Sequence, residues 1–147
     1  METNRRPKSA THRTSTPAST GLKTAEPPAQ TLSPPHVLAT ALLNAGTQLN
    51  LNHSELAAVL GLHRSAISRL KQNRQLKPDS KQGELALMLI RIHQALHALN
   101  DGNLPWMQHF MHSPNHLTGQ VPAHQIQNIE GLLKVMLCVE ALQHPAA

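Results

Sequence analysis

Apolar residues recur at helical spacing along most of this chain. Val37, Leu38, Ala41, Leu42 and Ala45 form a first stripe, with Ser33-Pro34-Pro35 before it and Gly46 after it. Serine is a favoured cap, and proline suits a first turn because its missing N–H would have no partner there. These signals predict a helix that opens at Pro34 and stops at Gly46. Leu56, Ala57, Leu60, Leu62, Ile67 and Leu70 follow, in two short helical patterns separated by Gly61. Residues 76–83, with Lys77-Pro78-Asp79, read as a connector. Leu85, Met88, Leu89, Ile92, Leu96 and Leu99 then predict a longer helix over about 84–99, stopped by Asn100-Asp101-Gly102. Beyond it come a short helix from Leu104 through Met111 and a Pro/Asn/Gly turn over 113–120. A closing helical region over 122–142 has Gly131 as its expected divide. Trp106 and Phe110, one turn apart, are the expected anchors of this last unit. No segment alternates at the period of a strand, so the expected fold is all-α.

The stretch 51–73, LNHSELAAVLGLHRSAISRLKQN, carries the most chemistry. Asn52 and Glu55 have the spacing of a capping box. Ala57 is small enough for close helix approach, and Gly61 tolerates the positive φ of a sharp turn. The second helix opens with His63, Arg64 and Ser65, then presents Ser68 and Arg69, while Ile67 and Leu70 turn inward. A helix-turn-helix offers its recognition helix to the major groove in this way. Arg64 or Arg69 is expected to read a base edge, and Lys71 and Arg74 to contact phosphate. On the residues alone, an ordinary helical hairpin with a basic surface is the alternative.

Charge sharpens this reading. The net charge of +5 is unevenly spread. Residues 1–53 carry +3, residues 54–91 carry +4 and residues 92–147 carry −2, counted from Lys, Arg, Asp and Glu. The basic middle can release counterions from a polyanion; the last third needs a different partner. Residues 1–33 are rich in Thr, Ser, Pro, Lys and Arg with little to bury, and are expected to form a disordered basic tail. The expected division is this tail, a helix-turn-helix domain over 34–102 and a small helical C-terminal domain over 103–147. The one cysteine, Cys138, lies in an apolar stretch and reads as a buried structural thiol. No apolar run reaches membrane-spanning length, because Arg91 and His93 break the longest candidate, and the basic N-terminus lacks the apolar core of a signal peptide. A soluble, cytoplasmic protein is expected.

The eleven histidines invite a metal hypothesis. His93 and His97 stand four apart, with His109, His112 and His116 nearby, but Pro114 interrupts the last group and no cysteine or carboxylate pair completes a tetrahedral set. No metal and no cofactor are expected. Eight scattered carboxylates, without a phosphate loop or a nucleophile-base arrangement, nominate no catalytic residue. The chain reads as a binding protein.

Two resemblances name the partners. SELAAVLGLHRSAISRLKQN is similar to the helix-turn-helix of Xre-type repressors. Trp106, Pro114, Asn115, Leu117, Gly119, Pro122 and Gly131 spell W-x7-P-N-x-L-x-G-x2-P-x8-G, which resembles the C-terminal domain of the MbcA/ParS/Xre antitoxins. Three positions depart from that pattern: Thr118 stands where glycine is frequent, Gln125-Ile126 where a Leu-Leu pair is frequent, and Asn128 where threonine is usual. Together the resemblances cover about residues 36–142. They imply an antitoxin that covers the active site of a RES-type, NAD-consuming toxin and represses its own operon by binding operator DNA. Repressors of this kind bind paired half-sites, so a homodimer is expected, held by helices outside the DNA-reading hairpin. An orphan transcription regulator whose C-terminal domain only dimerises is the alternative.

Overall fold

The computed structural model describes residues 33–145, which contain helices and no strand. In chain order these are α1 (Pro34–Gln48), α2 (His53–Leu60), α3 (Arg64–Asn73), α4 (Lys81–Leu99), α5 (Leu104–His112), α6 (Pro122–Gln125) and α7 (Ile129–Gln143). The expected tail lies outside the described residues except for Ser33, which occupies the N-cap of α1 without a side-chain hydrogen bond.

Two glycines do something other than end a helix. α1 runs straight through Gly46, which is buried and faces α2; a Cβ there would lie 3.1 Å from Leu56 Cδ2. The chain turns only at Asn50, whose φ is +57°, while Leu51 N–H bonds back to Gly46 O at 2.8 Å. Gly131 likewise does not divide the closing region. The break falls at residues 126–128, where Asn128 is extended and accepts from Gly131 N–H at 2.8 Å to cap α7. α4 begins three residues earlier than the apolar stripe suggests, because Ser80 after Pro78 supplies its cap, accepting from Gly83 N–H at 3.0 Å.

α4 is the central helix. It packs most extensively on α7, then on α1 and α2. Leu89, Ile92 and Leu96 are fully buried there, as are Leu42 of α1, Leu60 of α2, Ile67 of α3 and Leu132, Val135 and Val139 of α7. Burying one such side chain is worth roughly 1.5–3 kcal/mol, so α7 contributes to the same core as the helix-turn-helix. Residues before and after position 102 are therefore not independent in packing. A bidentate pair from Arg91 Nε and Nη2 to Glu140 Oε1 and Oε2, at 2.7 and 2.8 Å, fixes how α7 sits along α4. Trp106 and Phe110 lie side by side on α5, ring centroids 5.9 Å apart, but both are only partly buried. The fully buried residues of α5 are Met107 and Met111, whose flexible side chains fill the space between helices.

The C-terminal backbone carbonyls of α1 find partners on α5, and the Gln48 side chain finds one on α4. Gln108 Nε2 donates to Gln48 O at 3.2 Å, and His112 Nε2 donates to Leu49 O at 3.1 Å. His93 Nε2 donates to the Gln48 side-chain oxygen at 2.5 Å. Burial of this half-covered imidazole, aided by the nearby His97, lowers its pKa below the usual 6.5. The unfolded chain therefore binds a proton at His93 more readily than the folded one. Its contribution to stability is complete above pH 6.5 and is lost as pH falls through the lowered folded value. Thermal melts from pH 7.5 down to 5 are expected to show a smaller loss of Tm for His93→Gln than for the natural chain. Identical slopes would remove His93 from the explanation.

Candidate nucleic-acid interface

The helix-turn-helix is built locally before it is packed. Asn52 Oδ1 accepts from Glu55 N–H at 2.8 Å, and Glu55 Oε2 accepts from Asn52 N–H at 2.9 Å, which completes the capping box. Gly61 adopts a φ of +67°, the left-handed conformation that glycine takes at least cost, and Leu62 N–H returns to Ala57 O at 2.9 Å. α3 then buries Ile67 and Leu70, so the helical period leaves Arg64, Ser65, Ser68 and Arg69 facing out, and all four are exposed.

His63 is the N-cap of α3. Its Nδ1 accepts from Ser65 N–H at 3.2 Å and lies 2.9 Å from Ser65 Oγ, while Arg69 Nη2 donates to that hydroxyl at 3.4 Å. Ser65 thus ties the start of the helix to Arg69, a turn further on. Lys71 is exposed. Arg74 differs: it caps α3 at φ +49°, is half-buried, and donates from Nη1 to Thr40 Oγ1 of α1 at 3.2 Å. The sequence reading placed Arg74 with the free surface cations and missed this link, which joins residues far apart in the chain.

The C-terminal motif mostly shapes a loop. Asn115 Oδ1 accepts from Leu117 N–H and Asn115 O from Gly119 N–H, both at 2.8 Å. Pro122 is buried at the start of α6, Pro114 is exposed and Trp106 is partly buried. The three departures from the family pattern have structural roles. Thr118 is fully buried with Oγ1 donating to Gln120 O at 3.1 Å, Gln125 Nε2 donates to Thr118 O at 2.6 Å, and Asn128 caps α7. Leu117 is 57% exposed, and the Cys138 thiol donates to its carbonyl at 3.3 Å, so this thiol is half-buried and bonded instead of sealed in the core. Along α7, Ile129, Leu133 and Leu137 form an uncovered apolar row at every fourth position, 69%, 42% and 54% exposed. Among the described residues, no three His, Cys, Asp or Glu side chains gather as a metal site, and no helix is long and apolar enough to cross a membrane.

No curated protein matches this chain. Residues 28–91 match the model of one family, the antitoxin Xre-like helix-turn-helix domain. That span takes in α1, α2, α3 and about half of α4, so the part of the chain that presents the exposed arginines is similar to a DNA-binding antitoxin domain.

Proposed function

We propose that this chain is the antitoxin of a type II toxin-antitoxin pair: it covers the active site of a RES-type, NAD-consuming toxin and represses its own operon by binding operator DNA. The observation that carries the reading is the conjunction, in one chain, of an antitoxin-type helix-turn-helix with an uncovered apolar row on the last helix. In this reading residues 34–102 hold DNA. Arg64 or Arg69 reads a base, His63, Ser65 and Ser68 line the same surface, and Lys71 and Arg74 meet phosphate. Residues 103–147 hold the toxin, and residues 1–33 are a dispensable basic tail. Ile129, Leu133 and Leu137 dock on the toxin, so that α7 blocks entry of the nucleotide. An apolar helix face laid into a partner's groove is a common recognition mode, and it suits a region with a net charge of −2 better than DNA does. Inhibition is steric and needs no cofactor or catalytic residue of the antitoxin, which works in the cytoplasm as a homodimer on paired half-sites.

Because α4 and α7 share a core, point substitutions separate the two activities better than truncation does. The natural chain is expected to copurify with a RES-domain protein encoded beside it and to rescue cells that express it. Leu133→Glu with Leu137→Glu should fold, since both positions are exposed, retain promoter binding and lose rescue. Rescue undiminished by this pair would refute the docking surface. A natural chain that binds its promoter but neither copurifies with nor neutralises the neighbouring product would be the orphan regulator instead.

A further inference from the structure

A groove of about 440 Å³ runs between the start of α1 and α4, on helices other than the one assigned to the toxin. Val37 and Ala41 line one side, Leu87 and Ile90 the other, and Pro78 of the connector completes it. No residue lining it is charged. Val37 is 51% and Leu87 44% exposed, so the core leaves them uncovered.

The location of the groove argues for its occupant. α3 ends at Asn73, and from there the chain is tied step by step towards the groove. Arg74 bonds to Thr40, which adjoins Ala41; Leu76 N–H bonds to Pro35 O at 3.2 Å; Pro78 lies in the lining itself. The connector that leaves the recognition helix at Asn73 therefore reaches the uncovered apolar surface within five residues, at Pro78. A second copy seated here about a twofold axis would place the two recognition helices in equivalent positions about that axis. Paired half-sites about one helical turn, roughly 34 Å, apart demand such an arrangement. Charge favours the same occupant. A twofold contact sets equivalent patches against each other, so a charged patch would meet its own sign, whereas this uncharged one is self-complementary. Residues 1–32, with five Lys and Arg against two Asp and Glu, fit an uncharged groove less well.

We infer that the α1–α4 groove is the face through which two copies of this chain pair, leaving α7 of each copy free. This deepens the DNA-binding reading and rests on it for the spacing argument alone. Light scattering of the full chain at micromolar concentration should return the dimer mass. Leu87→Glu should halve that mass with helicity unchanged, and Val37→Glu provides the same test if the first variant loses helicity. Leu133→Glu with Leu137→Glu should remain dimeric. A monomeric natural chain, a dimer that survives both groove substitutions while α7 substitutions dissolve it, or a monomer that pairs only after residues 1–32 are removed would each overturn the inference. The last outcome would give the groove to the chain's own N-terminal segment. Promoter affinity, read in parallel, should fall at least about tenfold in the groove variants, since one half-site contact is then lost. Groove-dependent dimers that bind no promoter DNA would leave the pairing face standing and refute the DNA-binding reading, so the two fail separately.

Discussion

Replacing Arg64 and Arg69 together by alanine is expected to weaken binding to the chain's own promoter by roughly tenfold to a hundredfold, the 1–3 kcal/mol typical of a lost base-reading arginine. Both side chains project from the exposed face of α3, opposite the buried Ile67 and Leu70, and neither supports the core. The double variant should therefore melt like the natural chain, and the lost affinity can be assigned to the interface. Specificity should relax at one base position per half-site. Lys71→Ala should behave differently: a phosphate contact carries no sequence information, so all DNA sequences should weaken alike and the salt slope should fall by about one counterion. Arg74→Ala is a poorer probe, because removing its guanidinium also breaks the bond to Thr40 and loosens α3 from α1. Anisotropy titrations at several salt concentrations distinguish these cases. Unchanged promoter affinity in the Arg64/Arg69 double variant would refute the proposed recognition surface.

The exposed face of α3 was legible in the sequence because helical period and two apolar anchors dictate it. The capping box and the turn at Gly61 were legible for the same reason: each is decided within four residues. What escaped was decided by partners distant in the chain. Gly46 and Gly131 look like helix stops, but their meaning depends on Leu56 and Gln125 pressing against them. The actual turn after α1 uses Asn50, and the end of α3 uses Arg74, residues whose positive φ no local pattern announces. Trp106 and Phe110 drew attention as large aromatic residues, yet the buried positions of α5 belong to Met107 and Met111, because orientation towards α6 and α1 selects the face. The apolar excess in residues 126–142 was visible, but only the packing of α7 on α4 separates the covered Leu132, Val135 and Val139 from the uncovered Leu133 and Leu137. The groove beside Val37 and Leu87 had no signature at all, since it is formed by segments fifty residues apart.

Gly131→Ala is expected to be among the most destabilising single substitutions in the chain, at about 2–4 kcal/mol. A Cβ at this position would lie 1.8 Å from Gln125 O and 2.5 Å from Gln125 C, both backbone atoms that cannot rotate away. The Gln125 backbone is held in turn, by a side chain that donates to Thr118 O at 2.6 Å and by the buried Pro122 and Ala123 of the same short helix. Two relaxations remain. Moving the first turn of α7 breaks the Gly131 N–H bond to Asn128 Oδ1, an N-cap worth about 0.5–2 kcal/mol. Moving α6 instead uncovers Ile126, which is fully buried. The first route also loosens α7 from α4, so the damage there reaches the core that the helix-turn-helix shares. Gly61→Ala offers the contrast: its φ of +67° strains any L-residue by about 1–2 kcal/mol, but open space surrounds the position and nothing collides. Thermal melts should therefore place Gly131→Ala roughly 10 °C or more below the natural chain and clearly below Gly61→Ala. Should Gly131→Ala melt within a degree or two of the natural chain, the close backbone approach between α6 and α7 would be wrong, and with it the reason for glycine at the last position of the C-terminal motif.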